Sequence, residues 1–179
     1  DWYEAELEGR PLDLAMLTEI ATQDDASWQG TDDEVNARIA RIRERHDLLA
    51  EVRALKAERD AWRNKASLAQ RSHNMPPELV DAPDEVAREI VVVWDWVDKA
   101  EAELEKSEPD SGRLMAIGQA IKSALIAIAK YCGKTLDIFV SSTTKSAGLV
   151  AGPAIIGFVA WHGERLLQLA EGLIRAGSW

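Results

Sequence analysis

Three histidines, one cysteine and a dense run of carboxylates are the residues of this 179-residue chain best suited to chemistry. The reactions open to such groups are metal ligation, thiolate attack and general acid–base transfer. Their spacing supports none of these. His46, His73 and His162 lie far apart, and none has a partner at ligand spacing. His46 falls on an apolar seam and reads as a packed or interface histidine, with a pH-sensitive contact as the alternative. His73 reads as a loop or cap residue at a helix end. His162 follows Trp161 at the edge of an apolar segment and is expected to face solvent or an interface.

Cys132 precedes Gly133-Lys134, and a neighbouring lysine can favour the thiolate. No Cys-His-Asn pattern accompanies it, so the thiol reads as structural or incidental. The carboxylates between Asp95 and Asp110 fall on the solvated face of an amphipathic helix rather than in an acid–base pair. Gly148-Leu149-Val150-Ala151-Gly152 lacks the Gly-Lys-Ser/Thr tail that holds phosphate and magnesium. The expectation is a noncatalytic protein with no metal and no cofactor. A single cysteine excludes an intrachain disulfide and points to a reducing compartment. No basic start followed by an apolar core is seen near Asp1, so a signal peptide is not expected and the cytoplasm is the expected location.

Residues without chemistry of their own must then act through the surfaces that helices present. Apolar residues make up 46% of the chain and charged residues 29%, which is a globular balance and not a disordered one. The net charge is −10, which argues against phosphate-mediated binding of nucleic acid by the whole chain. The charge is unevenly spread: −5 over residues 1–75, −9 over 76–111 and +4 over 112–179.

The pattern predicts an all-α fold. Trp2, Tyr3 and Leu7 suggest a first short helix. Leu12, Leu14, Met16, Leu17 and Ile20 suggest a second. Thr31-Asp32-Asp33-Glu34 is a capping box, and the helix behind it is expected to run from Asp32 to about Gln70 without Gly or Pro. Val35, Ile39, Ile42, His46 and Leu49 repeat at 4-3-4-3 spacing, a coiled-coil seam that continues less regularly through Val52. His73 to Glu78, with Pro76-Pro77, breaks the helix. A second amphipathic helix starts after Pro83, although Ile90–Val97 is β-branched and aromatic enough to compete as a strand. Leu114, Ile117, Ile121, Leu125 and Ile128 mark another, ending near Gly133. Leu166, Leu169, Leu173 and Ile174 mark a last amphipathic series. The organisation expected is 1–72 short helices plus a long coiled-coil-like helix, 73–83 a linker, and 84–179 a small bundle. The basic long helix and the acidic helix after the linker are suited to lie antiparallel with complementary faces.

Ser146–Trp161 is the most unusual stretch. Eighteen residues between Lys145 and Glu164 carry no formal charge. Gly148 and Gly152 stand in GxxxG spacing, which lets helix backbones approach closely. Pro153 interrupts it, and the length is at the short limit for spanning a bilayer. A packed hairpin or kinked helix, a membrane segment and a subunit interface all fit. Gly148, Gly152, Ile155, Ile156, Phe158 and Trp161 are its candidate contact residues. The preceding helix, with Lys122, Lys130 and Lys134, also suits an anionic membrane surface.

His73-Asn74-Met75-Pro76-Pro77-Glu78 resembles an H-N-x-P-P-E motif of uncharacterised bacterial and phage-associated proteins. Gly133-Lys134, Asp137-Ile138-Phe139-Val140 and Lys145-Ser146-Ala147-Gly148 correspond to further features of their helical tails, so the resemblance covers about residues 73–179. Met75 replaces a usual second Asn. The resemblance implies a bacterial or phage context and no catalytic residue. The function expected is protein–protein interaction or oligomerisation in such an assembly, through Val35, Ile39, Ile42, His46, Leu49 and Val52. The alternative is a membrane-active or membrane-anchored subunit using residues 112–161.

Overall fold

The computed structural model describes residues 13–70, 84–131 and 155–178, and every regular element among them is helical. These are α1 (Leu14–Ala21), a 3-10 turn (Asp25–Trp28), α2 (Asp32–Gln70), α3 (Asp84–Leu104), α4 (Ser111–Tyr131) and α5 (Ile155–Ala176). The expected linker 73–83, Cys132, Gly148 and Gly152 lie outside the described residues.

Side-chain caps start three of the helices. The Asp13 carboxylate accepts the Met16 N–H at 2.9 Å and opens α1. The capping box forms as expected: the Thr31 N–H donates to Glu34 Oε2 at 2.8 Å, and the Glu34 N–H donates to Thr31 Oγ1 at 3.4 Å. Asp110 accepts the Arg113 N–H at 2.8 Å and opens α4. The buried Glu103 secures that turn by accepting the Asp110 N–H at 2.8 Å and Lys106 Nζ at 2.7 Å.

Two compact units result, one up to Asp47 and one from Leu48 onward, and α2 contributes to both. This boundary differs from the expected break at the Pro-containing linker. The reason is that Leu48, Val52 and Leu55 of α2 belong to the same buried cluster as α3, α4 and α5.

In the second unit the core is formed by Val93, Val97 and Leu104 of α3, Ile121, Leu125 and Ile128 of α4, and Leu166, Leu169 and Leu173 of α5. The Ile90–Val97 stretch is helical, because its 3.6-residue stripe of Ile90, Val93 and Val97 faces this core. Small residues bring α4 and α5 together antiparallel. A Cβ built on Gly118 would stand 2.5 Å from the Ala170 carbonyl oxygen, and one on Gly177 would stand 2.6 Å from that of Ser111.

The expected pairing of the basic and acidic helices is present. Arg53 bonds Glu105 at 2.8 Å and Glu101 at 3.3 Å. Lys56 pairs with Asp98 at 2.8 Å and also with Glu101. Arg59 approaches Asp98 at 3.7 Å and lies over the Trp94 ring, 5.1 Å from its centre. Rising numbers on α2 meet falling numbers on α3, so the helices are antiparallel. On α5, Arg165 bonds Glu51 at 2.7 Å and Glu58 at 2.8 Å. Such partly exposed pairs contribute ~0–1 kcal/mol each, so apolar burial holds the unit together and the charges orient it.

Residues 155–161 run unbroken into the last amphipathic series and form one helix with it. The expected interruption at Gly152-Pro153, hairpin or kink, lies outside the described residues. The expectation for His162 is corrected: it is buried, with Nε2 3.4 Å from Glu58 Oε2. Burial pushes its pKa down, against the opposing pull of Glu58.

Candidate interaction surface

The first unit joins α1 and the 3-10 turn to the N-terminal part of α2. Val35, Ile39, Ile42 and His46 all lie here, and all four are half-buried. The remaining two seam residues belong to the other unit. Leu49 packs against its core, and Val52 is fully buried within it. The six-residue seam is therefore not one continuous face for a partner. Val52 lies with Leu48 and Leu55 in the row of α2 that the chain's own bundle covers.

His46 sits between two carboxylates. Its Nδ1 is 3.3 Å from Asp13 Oδ2, and its Nε2 is 2.9 Å from Glu19 Oε2. The two acids stand on opposite edges of the ring and do not converge on one point, so they do not make a ligand set. Among the described residues no group of His, Cys, Asp and Glu is arranged to hold a metal ion. Glu19 also pairs with the buried Arg45. The Asp13 carboxyl is held below its ordinary pKa, first by the Met16 N–H and then, against some burial, by His46.

This polar cluster uses one side of α1. The sequence of α1, LAMLTEIA, contains a single charge, Glu19, and that charge is turned to Arg45 and His46. Met16 and Ile20 are half-buried beside it. On the other side Leu14, Leu17, Thr18 and Ala21 follow i, i+3, i+4, i+7 spacing, and all four are exposed. Leu14 is 71% exposed and Leu17 39%. Trp28 of the 3-10 turn is also 39% exposed. No apolar residue between Asp13 and Asp47 is buried. The outward row escaped the reading of the sequence, where Leu14 and Leu17 marked only a short helix. The available signal was a helix apolar on both sides.

The fourth helix is the element that fits the expected membrane surface. Ser111–Lys130 is long and apolar enough to cross a bilayer by length and composition. Its stripe of Leu114, Ile117, Ile121, Leu125 and Ile128 is buried in the bundle. Ile155, Ile156, Phe158 and Trp161 fall in the first two turns of α5. On the outer side of α3, Val91 is 58% exposed and Lys99 Nζ lies 3.8 Å from the centre of the Trp96 ring.

Comparison of the chain with protein-family models, with curated proteins and with solved structures finds no match. The geometry above is therefore what bears on function.

Proposed function

We propose that the chain is a noncatalytic helical interaction module, a subunit of a bacterial or phage-associated assembly that works in the cytoplasm. Its contact surface is the first unit, α1 together with Val35, Ile39, Ile42 and His46 of α2. One observation carries this reading: α1 is apolar on both sides, yet none of its residues is buried. Large apolar side chains exposed together in one row favour association. The test places a photo-crosslinking residue at Leu17 of the full chain, with Ala102 on the exposed side of α3 as the control. A discrete protein adduct is expected from position 17 and not from 102, either with a second copy or with another protein of the source cells. A chain that sediments as a monomer and yields no adduct at 17 refutes the proposal.

A second reading is favoured by the composition of α4, which suits contact with lipid. Because its apolar stripe packs inside the bundle, lipid contact requires α3 and α5 to move away. Co-flotation with anionic vesicles would support it; retention in the vesicle-free fraction would refute it.

A further inference from the structure

The outward row of α1 lies in an acidic unit: residues 13–47 hold nine carboxylates against four arginines, with His46 beside Asp13, Arg38 near Asp24 and Arg45 on Glu19. Residues 13–34 contain seven carboxylates and no Lys, Arg or His. Asp13 stands at the N-terminal end of α1, and Asp24 and Asp25 follow its C-terminal end. The one internal charge, Glu19, is engaged by Arg45 and His46 on the inner side and is absent from the row. The exposed face is thus an apolar strip of about two helical turns with carboxylates beyond each end. From Leu14 to Ala21 the row spans roughly 11 Å at helical rise, the length of about two turns of a facing helix.

We infer that this strip docks a basic amphipathic helix of another protein, with apolar residues over Leu14 and Leu17 and cations near Asp13 and Asp24–Asp25; this rests on the interaction reading above. Charge selects that occupant. A second copy laid on the same strip would bring acidic ends toward acidic ends, which opposes association. An anionic lipid surface meets the same repulsion. A helix with Lys or Arg outside an apolar row meets neither, and the helix-in-groove mode supplies the geometry.

The probe is a synthetic Leu/Lys amphipathic helix of about 18 residues, long enough to cover the strip and both acidic ends. Controls are a scrambled peptide of the same composition and a Leu/Glu counterpart. Binding to the full chain is measured by calorimetry at low salt and again at about 0.5 M salt, where exposed charges are screened. The ordered Leu/Lys helix is expected to bind, and salt is expected to weaken it. Leu14→Ser with Leu17→Ser should reduce affinity by about tenfold or more, because two apolar anchors are removed from the interface. Asp25→Lys should reduce it by a few-fold, in the manner of a rim charge. Val91→Ser with Val92→Ser, the exposed apolar pair of α3, should leave it unchanged. These substitutions are at exposed positions, and circular dichroism verifies that the helix content is retained. The inference falls if the Leu/Lys helix fails to bind, if the Leu14/Leu17 variant binds it equally well, or if the scrambled or Leu/Glu peptide binds as tightly. It also falls if the purified chain is a dimer that the Leu14/Leu17 variant dissolves, since a second copy is then the occupant. A position-17 adduct with another protein, obtained together with failure of the Leu/Lys probe, overturns the basic helix while leaving the interaction module intact.

Discussion

Replacing Gly118 by alanine tests the closest helix contact in the bundle. In an isolated helix the change is favourable, by about 1 kcal/mol of intrinsic propensity. In this fold the added methyl would meet the Ala170 carbonyl oxygen at 2.5 Å, Ile174 Cγ1 at 2.8 Å and the Ile174 N at 3.0 Å. Two of those three atoms are backbone, so a rotamer change cannot clear them. Relief requires α4 and α5 to separate by roughly half an ångström, and a gap of ~0.5–1 Å forfeits a quarter to a half of each dispersion contact. The loss spreads over Leu114 and Ile121 on one helix and Leu173 on the other, all fully buried. Overpacking of this kind costs ~1–3 kcal/mol, which outweighs the propensity gain by about 1 kcal/mol at the midpoint. Gly112→Ala is the internal control, because its added Cβ meets only the Asp110 side chain, at 3.3 Å. Urea unfolding of the full chain, followed by circular dichroism, measures both. Gly118→Ala should lower the midpoint, and Gly112→Ala should leave it level or raise it. Equal stabilisation by both substitutions refutes the close α4–α5 packing and the reasoning built on it.

Asp13→Ala removes the N-cap of α1 and should cost about 1 kcal/mol of local stability, seen as faster hydrogen exchange at the α1 amides with the bundle amides unchanged. Burial raises the Glu103 pKa, but its bonds from Lys106 and the Asp110 N–H outweigh this and hold it below the ordinary glutamate value. A depressed carboxyl pKa stabilises the fold above the unfolded value and loses that stabilisation as pH falls through the folded one. Urea titrations at successive pH values should therefore show stability falling below about pH 4.5, with a shallower fall in Glu103→Gln. Arg165→Gln breaks the bonds to Glu51 and Glu58 and should destabilise the bundle by about 1 kcal/mol at low salt and less at high salt; the same loss at both salt levels would contradict the electrostatic account.

The helices were legible in the sequence wherever a boundary signal and a periodic stripe agreed. The Thr31–Glu34 box placed the start of α2, the absence of Gly and Pro carried it to Gln70, and the opposite charges of α2 and α3 anticipated their pairing. Periodicity failed where the neighbour changed. The seam from Val35 to Leu49 is real as spacing, but spacing records which residues share a side and not which partner lies there. At Leu48 the bundle begins to cover α2, and it covers the row containing Val52 and Leu55. The burial of His162 was hidden for the same reason: its chain neighbours are apolar, whereas Glu51, Glu58 and the bundle core are far away in sequence. Of the proposed interaction surface, the sequence pattern names the residues of α2 and passes over the outward row of α1. Solvent exposure of an apolar residue depends on the tertiary fold, which a count of apolar positions does not contain.

The ladder of Arg53, Lys56 and Arg59 against Glu105, Glu101 and Asp98 bears on folding fidelity. Sliding by one turn costs it little: Arg53 already reaches both Glu101 and Glu105, and Lys56 both Asp98 and Glu101, so each of these cations finds a carboxylate in either setting. Rotation about the helix axis is different, because it would turn the cations of α2 away from the acidic row together. The ladder acts as a rail: weak at each tie, but able to keep two faces toward each other while sliding goes on. It gives a newly collapsed chain one pair of facing sides before the core is tightly packed.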